Sequence, residues 1–183
     1  MKLSEIFTNG YNTDKHDLGY IDNLYDEFFY EYRNKPITML EIGVQSGGSI
    51  HLWRDYLTEA TIYAGDIIPF PEIPNTISVI GDLYSPETYN KFADGMFDII
   101  VDDGPHTLAS FESVIKNYYN KLKKGGYLIV EDIVYSSWVQ PLVDVVDESG
   151  YSECVVLDMT GLQKTDHLLN LWRFGLFVLK IKK

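Results

Sequence analysis

Five apolar runs in this chain each end in a carboxylate: Glu41, Asp66, Asp82, the pair Asp102 and Asp103, and the pair Glu131 and Asp132. Any fold proposed for the chain has to account for that repetition. If the runs are parallel strands of one sheet, all of these acids lie along its carboxyl edge, where open α/β sheets bind their ligands. An edge so rich in anions is suited to cations.

The segments between the runs fit that reading. Residues 37–42 read as a first strand entering the turn 43–48, followed by a helix with Ile50, Trp53 and Leu57 on its buried face. Residues 61–66 and 77–82 read as strands two and three, joined by the proline-rich loop 69–74 in place of a full helix. Residues 97–102 make strand four, and Leu108, Phe111, Val114, Ile115, Tyr118 and Tyr119 share one face of the helix after it. Gly125 and Gly126 stop that helix ahead of strand five at 127–131, and Trp138, Leu142, Val145 and Val146 mark another helix closed by Gly150. Residues 151–157 and 172–181 read as two last strands with too little between them for a helical crossover, so they pair antiparallel. Ahead of all this lie an amphipathic opening at Leu3, Ile6 and Phe7, a polar stretch 8–17, and helical spacing from Leu18 to Tyr32, stopped at Pro36. The prediction is an α/β, Rossmann-like doubly wound sheet, seven-stranded and mostly parallel with an antiparallel C-terminal hairpin. The 183 residues suffice for a single domain, with 1–36 as a helical extension and 37–183 as the α/β core.

Charge narrows the partners. A net charge of -12 repels a polyphosphate, so nucleic acid is not an expected partner. The one cysteine, Cys154, excludes an intrachain disulfide, the start of the chain lacks a signal peptide's apolar stretch, and no apolar run approaches the roughly 20 residues of a membrane span. A soluble cytoplasmic protein is the expectation.

The turn Glu41-Ile42-Gly43-Val44-Gln45-Ser46-Gly47-Gly48 joins strand to helix, so its glycines permit close approach of a ligand to the helix N-terminus. It carries neither the dinucleotide string G-x-G-x-x-G nor the triphosphatase string G-K-[ST]. Asp66, ending strand two about 20 residues on, is placed to grip ribose hydroxyls. The string Val101-Asp102-Asp103-Gly104-Pro105-His106 is sharper still. With strands roughly 4.8 Å apart, Asp103 converges with Glu131 and Asp132 on one hard cation if strands four and five are neighbours. His106, just before the next helix, is then placed as a general base, and the helix's positive end and a metal favour its neutral form. Asp66, Asp82 and Asp132, each taken singly, read equally well as helix caps. His16, His51 and His167 read as structural or solvated, and most of the 14 tyrosines as core, with Tyr135 and Trp138 placed for a sugar platform.

The pattern resembles the class I S-adenosylmethionine-dependent methyltransferases from about residue 39 onward. More narrowly, Asp-Asp-Gly-x-His after strand four, Glu-Asp after strand five, Thr13-Asp14-Lys15, and Leu40-Glu41-Ile42-Gly43 with Gly47-Gly48-Ser49 resemble the metal-dependent sugar O-methyltransferases. That family includes the macrocin, mycinamicin and rhamnosyl types and has cephalosporin hydroxylase-like relatives. The resemblance implies S-adenosyl-L-methionine as methyl donor, S-adenosyl-L-homocysteine as product, and Mg2+ or another divalent cation such as Mn2+. It assigns the cofactor to Thr13, Glu41, Gly43, Ser46, Gly47, Asp66, Asp82, Leu83 and Asp102, the metal to Asp103, Glu131 and Asp132, and catalysis to His106 with Asp103. In the implied mechanism the metal lowers the pKa of a sugar hydroxyl, His106 takes its proton, and the oxygen attacks the methyl carbon.

The chain departs from that family in two places, with Leu83 where Gly-Asp-Gln is frequent and Pro105 where serine is common. It is also short, which leaves acceptor selection to residues 8–17, to 133–138, or to another subunit of a homo-oligomer. The expected acceptor is a small molecule or glycan bearing free hydroxyls. Three other readings are a catechol-like phenol as acceptor, an Fe2+-dependent hydroxylase of the cephalosporin type, and a noncatalytic cofactor- or glycan-binding subunit.

Overall fold

Apolar side chains alternate along the central strands, so each strand buries one row on either face of the sheet. A computed structural model of the chain describes residues 1–164 and 176–183. Its seven strands are β1 (Thr38–Ile42), β2 (Thr61–Asp66), β3 (Thr76–Ile80), β4 (Phe97–Asp102), β5 (Leu122–Ile133), β6 (Glu153–Asp158) and β7 (Phe177–Lys182). They form one sheet in the order β3-β2-β1-β4-β5-β7-β6. The first five are parallel, and β7 runs antiparallel to both β5 and β6, as the short final connection predicts. Strand order reverses between β1 and β4, which places the ligand crevice beside their carboxyl ends.

Three helices follow their strands in the expected places: α3 (Gly48–Tyr56), α5 (Leu108–Tyr118) and α6 (Ser136–Ser149). Met39, Ile99 and Val101 pack on one face with Ile50 and Trp53 of α3 and with the N-terminal residues Tyr20, Ile21 and Leu24. Leu40, Ile100 and Leu128 pack on the other with Phe111, Val114 and Ile115 of α5 and Leu142 of α6. His167 and residues 172–175 of the expected last strand lie outside the described residues, and that strand is described over Phe177–Lys182.

Three boundaries differ from the sequence reading. The third strand ends at Ile80, so Asp82 sits beyond it, in a turn leading to a one-turn helix, α4 (Pro86–Tyr89). Strand five starts at Leu122 and runs through Gly125 and Gly126, which do not separate it from the helix but form an irregularity. Pairing jumps from Phe97↔Leu122 to Ile99↔Tyr127, and a Cβ on Gly126 would lie 2.9 Å from the Asp98 carbonyl oxygen, so a glycine is needed where the bulge crosses β4. The N-terminal extension opens with α1 (Leu3–Ile6), and its second helix, α2 at residues 20–31, changes type along its length. Ile21–Tyr25 is π-helical, Asp26–Phe28 α-helical and Phe29–Glu31 3-10.

Candidate active site

A cavity of about 850 Å3 opens at the carboxyl ends of β1, β2 and β4. Gly43, Ser46, Asp66, Asp82, Leu83 and Thr13 lie on its wall at one end, and Asp103, His106 and Asp132 at the other. Glu41, Gly47, Asp102 and Glu131, also singled out by the sequence, are not on that wall.

The glycine turn is shaped by backbone contact. Gly43 has φ 91°, and a Cβ there would lie 1.9 Å from the Asp103 carbonyl oxygen, so the turn after β1 and the turn after β4 touch with no room for a side chain. Asp66 binds this turn, its Oδ2 accepting from the Val44 N–H at 2.8 Å and the Gln45 N–H at 3.0 Å. Burial opposes ionisation of Asp66, but these backbone donors and that of Ile68 outweigh it and hold its pKa below the ordinary value. Asp82 accepts from the Tyr84 N–H at 2.9 Å. Glu41 is fully buried beside the turn, accepting from Ser49 Oγ at 2.6 Å and from Trp53 Nε1, and burial pushes its pKa up to about 7. The N-terminal segment crosses the start of α3 so closely that a Cβ on Gly48 would meet the carbonyl oxygens of Tyr11 and Asn12 at 2.1 and 2.2 Å.

At the other end, Asp103, His106 and Asp132 each present one ligand atom, all within 4.8 Å of one another. His106 Nε2 lies 3.1 Å from Asp103 Oδ1 and 3.7 Å from Asp132 Oδ2. Local structure explains why two residues of the β4–α5 turn and one of β5 meet. Thr107 caps α5 through Ser110, fixing the turn from which His106 projects, and the β5–β7 pairing shifts between Val130 and Ile133. That bulge frees Asp132 from strict alternation with Glu131, so consecutive residues both meet α2.

α2 supplies the acids with donors. Tyr20 OH donates to Asp132 Oδ1, and Tyr25 OH donates to Glu131 Oε1. These tyrosines are five residues apart, a separation that a π turn brings onto one side of the helix. Glu131 Oε2 accepts from Lys15 Nζ, which also donates to Asp103 Oδ2 at 2.7 Å and lies 3.8 Å from Glu41 Oε1. Both oxygens of Glu131 are thus engaged by protein groups. Asp102 turns the other way, accepting from Tyr84 OH through Oδ1, and its Oδ2 is buried with no partner among the described residues.

Burial and mutual repulsion raise the pKa of Asp132 to about 6, and burial raises Asp102 to about 7. Burial also opposes ionisation of Asp103, but the Lys15 ammonium and the His106 hydrogen bond prevail and depress its pKa. Burial lowers the pKa of His106, yet the Asp103 hydrogen bond and the charges of Asp132, Asp103 and Asp102 outweigh it and raise the value. The protein's own groups therefore oppose the neutralising effect expected of the helix N-terminus.

The donor set fits a hard divalent cation: Mg2+ is commonly held by one or two carboxylates, with water and substrate oxygens filling the rest. Backbone strain marks the same place. Of the five non-glycine residues with positive φ among those described, Asn12, Gln45, His106 and Asp132 line this cavity.

Sequence reasoning missed Lys15, Tyr20 and Tyr25 as parts of the site. Thr13-Asp14-Lys15 drew notice as a string, but Lys15 is separated by 88 residues from Asp103 and by 116 from Glu131, and no periodicity reports such pairs. Tyr135 and Trp138 pack together at 4.7 Å, and Trp138 meets Phe111, which stacks on His106, so an aromatic run leads away from the acids.

No protein-family model matches the chain. It is 29% identical over 139 residues to the 8-demethyl-8-alpha-L-rhamnosyl tetracenomycin-C 2'-O-methyltransferase of Streptomyces olivaceus, covering 70% of this chain and 37% of that one. It is 30% identical over 125 residues to the demethylmacrocin O-methyltransferase of Streptomyces fradiae, covering 62% of this chain and 32% of that one. The chain thus spans about a third of the length of the curated relatives it matches. Among solved structures it resembles MycE methyltransferase from the mycinamycin biosynthetic pathway, in complex with Mg, SAH and mycinamycin VI. The TM-score is 0.64 at 27% identity, covering 76% of this chain and 39% of that one. No helix among the described residues is long and apolar enough to cross a membrane. With this strand order, this turn after β1 and these relatives, the chain has the class I S-adenosylmethionine-dependent methyltransferase fold and is a homologue of the sugar O-methyltransferases.

Proposed function

We propose that this chain is an S-adenosylmethionine-dependent O-methyltransferase that methylates a sugar hydroxyl, on a rhamnose-like residue of a glycan, glycolipid or natural product. The observation that carries the reading is that Asp103, His106 and Asp132 cluster on the wall of the same cavity that reaches the glycine turn after β1. A methyl donor in the turn and an acceptor at the acids would share one cavity. The rhamnosyl acceptor named for the Streptomyces olivaceus relative supports a sugar over a phenol.

Each residue has a part in this reading. The 43–48 turn, Asp66 and Asp82 hold the cofactor, whose sulfonium supplies the methyl group. Asp103 and Asp132 would hold Mg2+ or Mn2+, which would polarise the acceptor hydroxyl, while Glu131, expected from the sequence as a third ligand, has both oxygens engaged by Tyr25 and Lys15 and stands behind them. His106 takes the hydroxyl proton; its raised proton affinity and its Asp103 partner suit a base that is oriented before the acceptor arrives. Tyr135 and Trp138 offer an aromatic wall for a sugar's apolar face. The acidic net charge supports a small-molecule or glycan acceptor and not nucleic acid, and the single cysteine is consistent with a cytoplasmic enzyme.

The test is incubation with S-adenosylmethionine, Mg2+ and a panel of rhamnosides, other glycosides and catechols, with and without chelator, read by mass spectrometry. A mass gain of one methyl on a glycoside, lost with chelator, is expected. Methylation of catechols alone, or oxygen consumption with Fe2+ and no S-adenosylhomocysteine, defeats the proposal.

A further inference from the structure

Lys15 is a lysine where lysines are seldom found: 1% exposed, in a turn of irregular backbone, against three acids. Its ammonium donates to Asp103 Oδ2 at 2.7 Å and to Glu131 Oε2, with Glu41 Oε1 at 3.8 Å. Asp103 is thereby held from both sides, since its other oxygen lies 3.1 Å from His106 Nε2. Glu131 is fully buried, and without Lys15 its carboxylate would keep only the Tyr25 hydroxyl. The residues just before Lys15 line the cavity: Asn12, Thr13 and Asp14 all stand on its wall, and Asn12 Nδ2 donates to Ser46 Oγ at 3.1 Å.

We propose that Lys15 is a positioning residue of the reaction centre, one ammonium that neutralises Glu131, sets Asp103 against His106, and clamps the 12–14 stretch of cavity wall onto the ends of β4 and β5. The inference rests on the proposed function for the reaction it serves, and on the contacts above for the clamp itself. These tasks meet at one atom because Nζ donates to two acceptors, Asp103 just past β4 and Glu131 in β5, and lies within ion-pair reach of Glu41 in β1. Removing a partner from a buried ion pair leaves an uncompensated charge, which costs far more than removing both.

The experiment is a cycle of Lys15→Met, Glu131→Gln and the double variant, each measured by thermal unfolding and by calorimetric titration with S-adenosylhomocysteine. Lys15→Met is expected to lower the unfolding midpoint by roughly 6–20 °C. The double variant has the parent's net charge in this cluster, and it is expected to regain at least half of that loss. It is nevertheless expected to bind S-adenosylhomocysteine about tenfold more weakly than the parent, because the 12–14 wall has lost its clamp. A purely structural lysine would not produce weak binding in a chain whose stability has returned. Should Lys15→Met fail to fold, the double variant decides alone: folded with weakened binding supports the clamp, and unfolded overturns it. A double variant no more stable than the single one, or one that binds as tightly as the parent, also overturns it. A parent chain that binds no S-adenosylhomocysteine defeats the proposed function and leaves the stability cycle to judge Lys15.

Discussion

The two ends of the cavity are built in different ways. The turn after β1 is held through backbone: Gly43 against the Asp103 carbonyl, and Asp66 Oδ2 on the amides of Val44 and Gln45. The acid end is made of side chains from distant parts of the chain, with Tyr20, Tyr25 and Lys15 set against Asp132, Glu131 and Asp103. Backbone-built sites fail by steric intrusion and side-chain networks fail by losing a partner, so the two ends should respond to different substitutions.

His106→Ala is expected to give the largest effect and to separate the ends most sharply. Turnover should fall by roughly 10²–10⁴-fold, the range for losing a general base, while S-adenosylhomocysteine affinity stays near that of the parent. Single-turnover kinetics with a glycoside acceptor checks this, and unchanged turnover rejects the base assignment.

Gly43→Ala attacks the opposite end. The new Cβ would fall 1.9 Å from a backbone oxygen at a φ of 91°, so the turns must part, at a cost of at least about 2 kcal/mol. Weakened S-adenosylhomocysteine binding is the expected signature, with a smaller loss of metal response because the displaced carbonyl is that of Asp103; equal loss of both would mean that the ends are not separable.

Tyr25→Phe tests the network more gently. It strips Glu131 of the donor to Oε1 in a fully buried place, for which a loss of about 1–3 kcal/mol in urea unfolding is expected. No change in midpoint would mean that the hydroxyl does not support the acid.

The smallest expected effect concerns Glu41, where the two ends meet. Its pKa is raised from 4.5 to about 7, so the folded state binds its proton more tightly than the unfolded chain does. Stability from this group is present in full below about pH 4.5 and is lost as pH rises toward 7. Glu41→Gln should flatten that part of the stability profile, and an unchanged slope would assign it to other acids such as Asp132.

Much of the fold was legible because it depends on local rules. β4 runs over Phe97–Asp102 as its apolar run suggests, β2 over Thr61–Asp66, and α6 ends at Gly150 with φ 84° as a left-handed cap requires. The reading failed where tertiary contact overrides the local signal. Gly125 and Gly126 look like a break but are a bulge pressed on β4, and α2 looks like an ordinary helix but contains a π turn. Asp103 and His106 were legible as a pair because they are three residues apart on one turn, and the partners of Glu131 were not.

Hydrophobic alternation and turn chemistry act between near neighbours, so the sequence by itself determined that consecutive strands run the same way and deliver their terminal acids to one edge. Which acid keeps a free oxygen, and which is neutralised by Lys15 or held by a tyrosine, depends on distances between groups remote in the chain. Coulombic and hydrogen-bond energies fall off over a few ångströms, and burial amplifies them, so only the folded arrangement of α2 and the 12–15 segment over β4 and β5 could decide it.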